Sequence, residues 1–149
     1  MISNPKEYYP PMHTAEHILN RTMVSLFKTE RSFSNHIEKK KSKCDYHFNR
    51  NLTTTEIQKL QDEINSVIEQ NLDVTEMKIP LEEAKEKFIL DRLPENHGDE
   101  IRIINVGNYD SCMCSGLHVK NTTEIGQVKI LSSSFDNNVL RVRFKLHDK

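Results

Sequence analysis

The sequence predicts an α+β domain, with helices packed on a mostly antiparallel sheet. Three observations carry this. Apolar residues recur at helical spacing in the first half of the 149 residues, strand-like alternation dominates the second half, and no alternating βαβ pattern runs through the chain. No boundary stands out, so residues 1–149 read as one domain.

The elements follow in order. Ala15, Ile18, Leu19, Thr22, Met23, Leu26 and Phe27 keep the i, i+3, i+4, i+7 spacing of a helix over 13–28. Residues 44–48 alternate and predict a strand. Thr53 followed by Glu56 is a capping-box signature. It opens a helix with Ile57, Leu60, Ile64, Val67 and Ile68 on one side, ending near Asn71. A short strand is expected over 74–79, stopped by Pro80, then a charged helix over 81–88 and a loop over 91–100. An apolar strand over 101–106 leads into a loop over 107–116. Strands are expected over 127–131 and 139–146. In the last, Leu140, Val142, Phe144 and Leu146 share one face, and Arg141, Arg143 and Lys145 the other.

Composition excludes several classes. The chain is 36% hydrophobic and 29% charged, and no run approaches the ~18 apolar residues of a membrane span. No secretory h-region is visible at the start. Three cysteines, Cys44, Cys112 and Cys114, fit a reducing, cytoplasmic setting. The net charge of −1 hides an asymmetry: residues 1–52 carry +4, residues 53–100 carry −8 and residues 101–149 carry +3. Such a split suits either a nucleic-acid face or an acidic solvated helix.

Four residues carry the sharpest chemical signal. His13 and His17 are four apart on a predicted helix, so both imidazoles project from one side. Cys114 and His118 repeat that interval after a strand, with Gly116 between them to let the loop bend. Three imidazoles and one thiolate make a tetrahedral set of the kind Zn²⁺ takes. The site is expected between the N-terminal helix and the C-terminal strand-loop. Cys112 is an alternative to Cys114, and a closed set of four ligands also suits a purely structural staple. His13-Thr14-Ala15-Glu16-His17 matches the H-x-x-E-H pattern of some metallopeptidases as well, with Glu16 as base. The chain is short for such a peptidase, and the second pair fills the coordination sphere without a distant carboxylate.

These segments resemble a known family. Residues 12–19, with His13-Thr14-Ala15-x-His17-Ile18-Leu19, are similar to the H-T-A-x-H-[IL]-L segment of the alanyl-tRNA synthetase editing domain. Residues 114–126 resemble its C-G-G-T-H-V-x-x-T-x-E-I-G segment, except that Ser115 replaces the first glycine and Leu117 the threonine. The threonyl-tRNA synthetase editing domain carries the same zinc-binding pairs. The resemblance covers most of the chain and extends to free-standing editing proteins without an aminoacylation domain. It implies a zinc-dependent deacylase acting on mischarged tRNA, with serine and glycine the wrong amino acids on alanine tRNA, and no use of ATP. Editing of Ser-tRNA(Thr) is the sister expectation. Zinc would either activate water or orient the substrate, and four protein ligands favour neither role outright.

A second sieve for serine needs a polar group near the metal. Thr14, Ser34, His36 and Ser115 are candidates, with Thr14 and His36 offered to the chemistry and Ser34 and Ser115 to substrate binding. Asp110 is a candidate base, or an orienter of a ligand histidine. Lys39, Lys40, Lys41 and Lys43, and the strand face with Arg141, Arg143 and Lys145, are candidates for tRNA phosphates. Tyr46 and Tyr109 are candidates for stacking on the terminal adenine, with core packing the simpler role for Tyr46.

Overall fold

A computed structural model describes residues 9–87, 99–114 and 116–147 of the chain. The class is α+β with antiparallel pairing throughout, but the strands form two sheets rather than one. The larger has the order β1 (Ser34–His36), β2 (Ser42–His47), β7 (Val139–Leu146), β6 (Val128–Asp136). The smaller has the order β3 (Val74–Pro80), β4 (Glu100–Val106), β5 (Asp110–Met113).

Helix α1 (Pro10–Phe27) starts on Pro10 and Pro11, whose fixed φ and missing N–H suit the first helical positions. It is buried on nearly every side: Met12, Ala15, Ile18, Leu19 and Met23 enter the main core, while Thr14, Glu16, His17 and Asn20 are also buried. The expected single apolar stripe is therefore only part of what the helix buries. Helix α2 (Thr54–Glu69) begins at the foreseen capping box, with Thr53 and Glu56 exchanging side-chain and backbone bonds. Leu60, Ile64, Val67 and Ile68 face the same core. Asn71, at φ 61°, ends the helical run. Cys44, Tyr46, Leu140, Val142 and Phe144 form the inward face of the larger sheet beneath both helices.

The alternation of β4 decides how the smaller sheet is used. Ile101 and Ile103 pack with Ala84 of α3 (Leu81–Lys87). Arg102, Ile104 and Val106 point the opposite way, and Val106 joins the main core. At Gly107, φ is +50° and an added Cβ would meet the Leu72 side chain at 3.0 Å, so this turn favours glycine. Three expectations change. Part of the loop foreseen over 107–116 is strand β5, the strand foreseen over 127–131 runs on to Asp136, and β1 was not foreseen. The loop foreseen over 91–100 lies mostly outside the described residues. A two-residue turn, Asn137-Asn138, both at positive φ, joins β6 to β7.

Candidate metal centre

The site is built by two ladders in step. Residues i, i+4 and i+8 of a helix advance about 6 Å per interval, and residues i, i+2 and i+4 of a strand about 6.8 Å. Along α1 the interval gives His13, His17 and Arg21. Along β5 and the residue after it, alternation gives Asp110, Cys112 and Cys114 on the side shared with Val106 and Ile104. Run antiparallel, the ladders bring His13 to Cys114 and Arg21 to Asp110.

His13, His17, Cys114 and His118 each offer a ligand atom, and these atoms lie within 4.8 Å of one another. His13 Nε2 is 3.5 Å from Cys114 Sγ, and His118 Nε2 is 3.3 Å from it. Between the two expected thiols the geometry selects Cys114; the Cys112 sulfur turns to the Met113 carbonyl at 3.3 Å. Gly116 N–H donates to Cys114 Sγ at 3.4 Å.

The imidazoles are oriented from behind. His13 Nδ1 meets the Leu117 carbonyl at 3.3 Å. Thr14 Oγ1 lies 2.9 Å from His118 Nδ1 and accepts from Val119 N–H at 3.2 Å. Among the described residues His17 Nδ1 has no hydrogen-bond partner; it stands 3.7 Å from Asp110 Oδ2, beyond hydrogen-bond reach. Burial lowers the pKa of His13, lowers that of His17 well below its usual value and brings His118 to about 3. The rings are therefore neutral, with lone pairs free for a cation. Burial also pushes the Cys114 thiol up to about 11. A bound cation would convert it to thiolate. The donor set fits one metal ion of the tetrahedral, nitrogen- and sulfur-preferring kind.

The surroundings are polar and buried. Asp110 receives Arg21 Nε at 3.1 Å and both Arg31 terminal nitrogens at 2.8 and 3.2 Å. Glu16 is bonded by Asn20, whose carbonyl in turn accepts from Ser32 N–H at 2.8 Å. Glu16 Oε1 is 3.8 Å from His13 Nε2. Arg102 donates to the carbonyls of Cys114 at 2.9 Å and Gly116 at 2.7 Å, and its Nε is held by Glu76. Sequence reasoning missed Arg21, Arg31 and Arg102. Arg21 carried a usable signal, since it continues the His13, His17 interval by one more turn; Arg31 and Arg102 carried none.

The other expected residues are distributed as follows. Asp110 and Thr14 sit against the ligands. His36 and Ser34 lie on exposed β1, opposite Lys43 and Asp45, and His36 pairs with Glu38 at 3.1 Å. Neither has a described contact to the four ligands. Lys39, Lys40 and Lys41 occupy the β1–β2 connection, which Ser42 Oγ closes through Glu38 N–H and C=O. Ser115 lies outside the described residues. Tyr46 is wholly buried and unavailable to a base, and the half-buried Tyr109 hydroxyl is 2.6 Å from Thr22 Oγ1.

Residues 101–142 match the family described as the threonyl and alanyl tRNA synthetase second additional domain. The alanine–tRNA ligase of Microcystis aeruginosa is 33% identical over 123 residues, and that of Listeria monocytogenes 31% over 123. The ligase of Alkaliphilus metalliredigens is 30% identical over 129 residues. Each match takes in 82% of this chain but 14% of the relative, so the chain spans about one seventh of the length of the curated relatives it matches.

Proposed function

We propose that this chain, which belongs to the threonyl and alanyl tRNA synthetase second-additional-domain family, is an editing hydrolase that acts in trans on mischarged tRNA. Its preferred substrate is Ser-tRNA(Ala), with Gly-tRNA(Ala) second, and its metal is Zn²⁺. The observation that carries the reading is the convergence of the two motif halves: ligand atoms from His13, His17, Cys114 and His118 within 4.8 Å. Residues 101 positions apart in sequence meet there, which chance spacing does not explain.

His13, His17, Cys114 and His118 would hold the zinc ion, which would supply Lewis-acid polarisation of the ester or of the attacking water. The protein's own part is orientation. Thr14 fixes the His118 ring through Nδ1, and Leu117 does the same for His13 through its carbonyl. Asp110, itself held by Arg21 and Arg31, stands beside His17 Nδ1 and biases that nitrogen toward carrying its proton. This assigns Asp110 and Thr14 to positioning. Leu117, 57% exposed beside the ligands, presents an aliphatic wall where the family pattern has threonine. The lysines at 39–41 and 43 hold phosphates of the acceptor end.

The test is deacylation of Ser-tRNA(Ala), Gly-tRNA(Ala), Ser-tRNA(Thr) and Ala-tRNA(Ala) by the purified chain, with metal analysis of the same sample. Hydrolysis of the first with Ala-tRNA(Ala) spared supports the reading. Turnover of Ser-tRNA(Thr) alone moves the assignment to threonine tRNA. Zinc and tRNA binding without turnover makes the site a structural staple.

A further inference from the structure

Among the described residues, no helix packs on the outer face of the larger sheet. Helices α1 and α2 pack on the face carrying Cys44, Tyr46, Val142 and Phe144. The opposite face carries Lys43 on β2, Arg143 and Lys145 on β7, and Lys129 on β6. The register sets Lys43 directly across from Arg143 and Lys129 directly across from Lys145. Like charges directly opposite on neighbouring strands destabilise a sheet. Among the described residues none of the four cations is in an ion pair within 4.0 Å, and Arg143 has the Ser132 hydroxyl at 3.2 Å; the neighbouring carboxylate, Asp45, is held below its usual range first by Arg141 and then by the charges of Lys43 and Arg143. Near the cationic end Glu38 is taken up by His36, across from Lys43, and the other carboxylates of this face lie toward its other end. Asp45 is held bidentately by Arg141 at 2.7 and 2.9 Å, and Asp136 sits beside the β6–β7 turn.

A further cation, Lys39, lies at the cationic end. The β1–β2 connection with Lys39 rises from the same end of the sheet, and Lys39 Nζ stands 5.6 Å from the centre of the Tyr9 ring. The Tyr9 carbonyl accepts from His13 N–H at 3.1 Å, so Lys39 stands over a residue one helical turn from His13. A sheet face that carries cations on three neighbouring strands suits a phosphate backbone, not an apolar partner.

We infer that the outer face of the larger sheet, centred on Lys43, Arg143, Lys145 and Lys129, is a docking surface for the sugar–phosphate backbone of RNA whose 3′ end reaches the metal centre past Tyr9 and Lys39. The identity of that RNA as tRNA rests on the editing reading; the existence of the surface does not. Because the contacts are to phosphates, they are tolerant of sequence and sensitive to salt.

The experiment measures binding of labelled, uncharged tRNA to the full chain across a salt series, for wild type and Lys129→Glu/Lys145→Glu. The variant is expected to bind about tenfold or more weakly at low salt, with the slope of log affinity against log salt reduced by about 2. Hydrolysis of seryl-adenosine, an ester lacking the RNA body, stays unchanged. Equal affinity and slope in a folded, metal-loaded variant overturn the inference. If that variant does not fold, Arg143→Gln is used; an expected slope loss of about 1 supports the inference, and no loss overturns it. Sensitivity of anionic-vesicle binding to these changes while tRNA binding is untouched also overturns it. Uncharged tRNA needs no turnover to bind, so failure of the editing reading shows separately, as intact ester in every assay.

Discussion

At Thr14 a single hydroxyl ties the helix to the loop that carries half the metal site, through His118 Nδ1 at 2.9 Å and Val119 N–H at 3.2 Å. Thr14→Val keeps the shape and all four ligands but leaves the His118 ring without its outer partner. Metal dissociation, followed by competition with a chelator, is expected to become about 10–100-fold easier while the fold persists; unchanged affinity contradicts the orienting role. Acidity probes the same rings. In the unfolded chain histidine protonates near 6.5, whereas in the fold His118 stays neutral to about 3, and burial also lowers the His13 and His17 values. As pH falls below ~6.5 the unfolded state takes up protons that the native state refuses. The metal-free protein therefore loses up to about 1.4 kcal/mol per pH unit for each such histidine. The loss ends where pH drops below the folded value. Denaturant midpoints at pH 7.5 and 5 check this; a flat dependence contradicts it. At this scale the clustering of His13, His17, Cys114 and His118 was legible because a repeated four-residue interval is visible in one dimension. The clamp on Asp110 was not, since Arg21 and Arg31 reach it from 89 and 79 residues away.

Two elements matter most, α1 and β5, and they were legible to different degrees. Helix α1 announced itself by its apolar spacing. Strand β5 is four residues long and carries aspartate, serine and cysteine where apolar residues mark most strands. Its signal was the alternation of Asp110, Cys112 and Cys114, chemical rather than hydrophobic. β1 offered no signal at all, because its three residues are exposed and no core face selects among them. The division into two sheets was equally invisible, since alternation tells which face is buried and not which strand is the neighbour. Arg102 supplies a test at this level. It anchors the Cys114 loop through two carbonyls and braces β3 through Glu76. Arg102→Met leaves both carbonyls unpaired and is expected to weaken metal binding while leaving the α2 capping box and main core intact. A variant with wild-type zinc affinity contradicts that role. Thr53→Ala, by contrast, is expected to cost about 1 kcal/mol of stability through the α2 cap and to leave zinc affinity unchanged.

Across the whole molecule, charge is sorted by location. The acidic middle of the sequence includes the solvent side of α2, where Asp62 and Glu63 lie exposed or half-exposed away from the core-facing Leu60 and Ile64. The basic ends supply the sheet face and both halves of the metal site. A net charge of −1 therefore describes neither surface. The central claim is that the two motif halves form one zinc centre that edits mischarged tRNA. The most direct measurement compares wild type with Cys114→Ser for bound zinc and for the rate of Ser-tRNA(Ala) hydrolysis, with Ala-tRNA(Ala) as the control ester. One zinc per wild-type chain is expected, with the serine ester cleaved and the alanine ester spared, and zinc and cleavage are expected to be lost together in the variant. A zinc-loaded wild type that leaves Ser-tRNA(Ala) intact, or a zinc-free Cys114→Ser protein that cleaves it at the wild-type rate, contradicts the account.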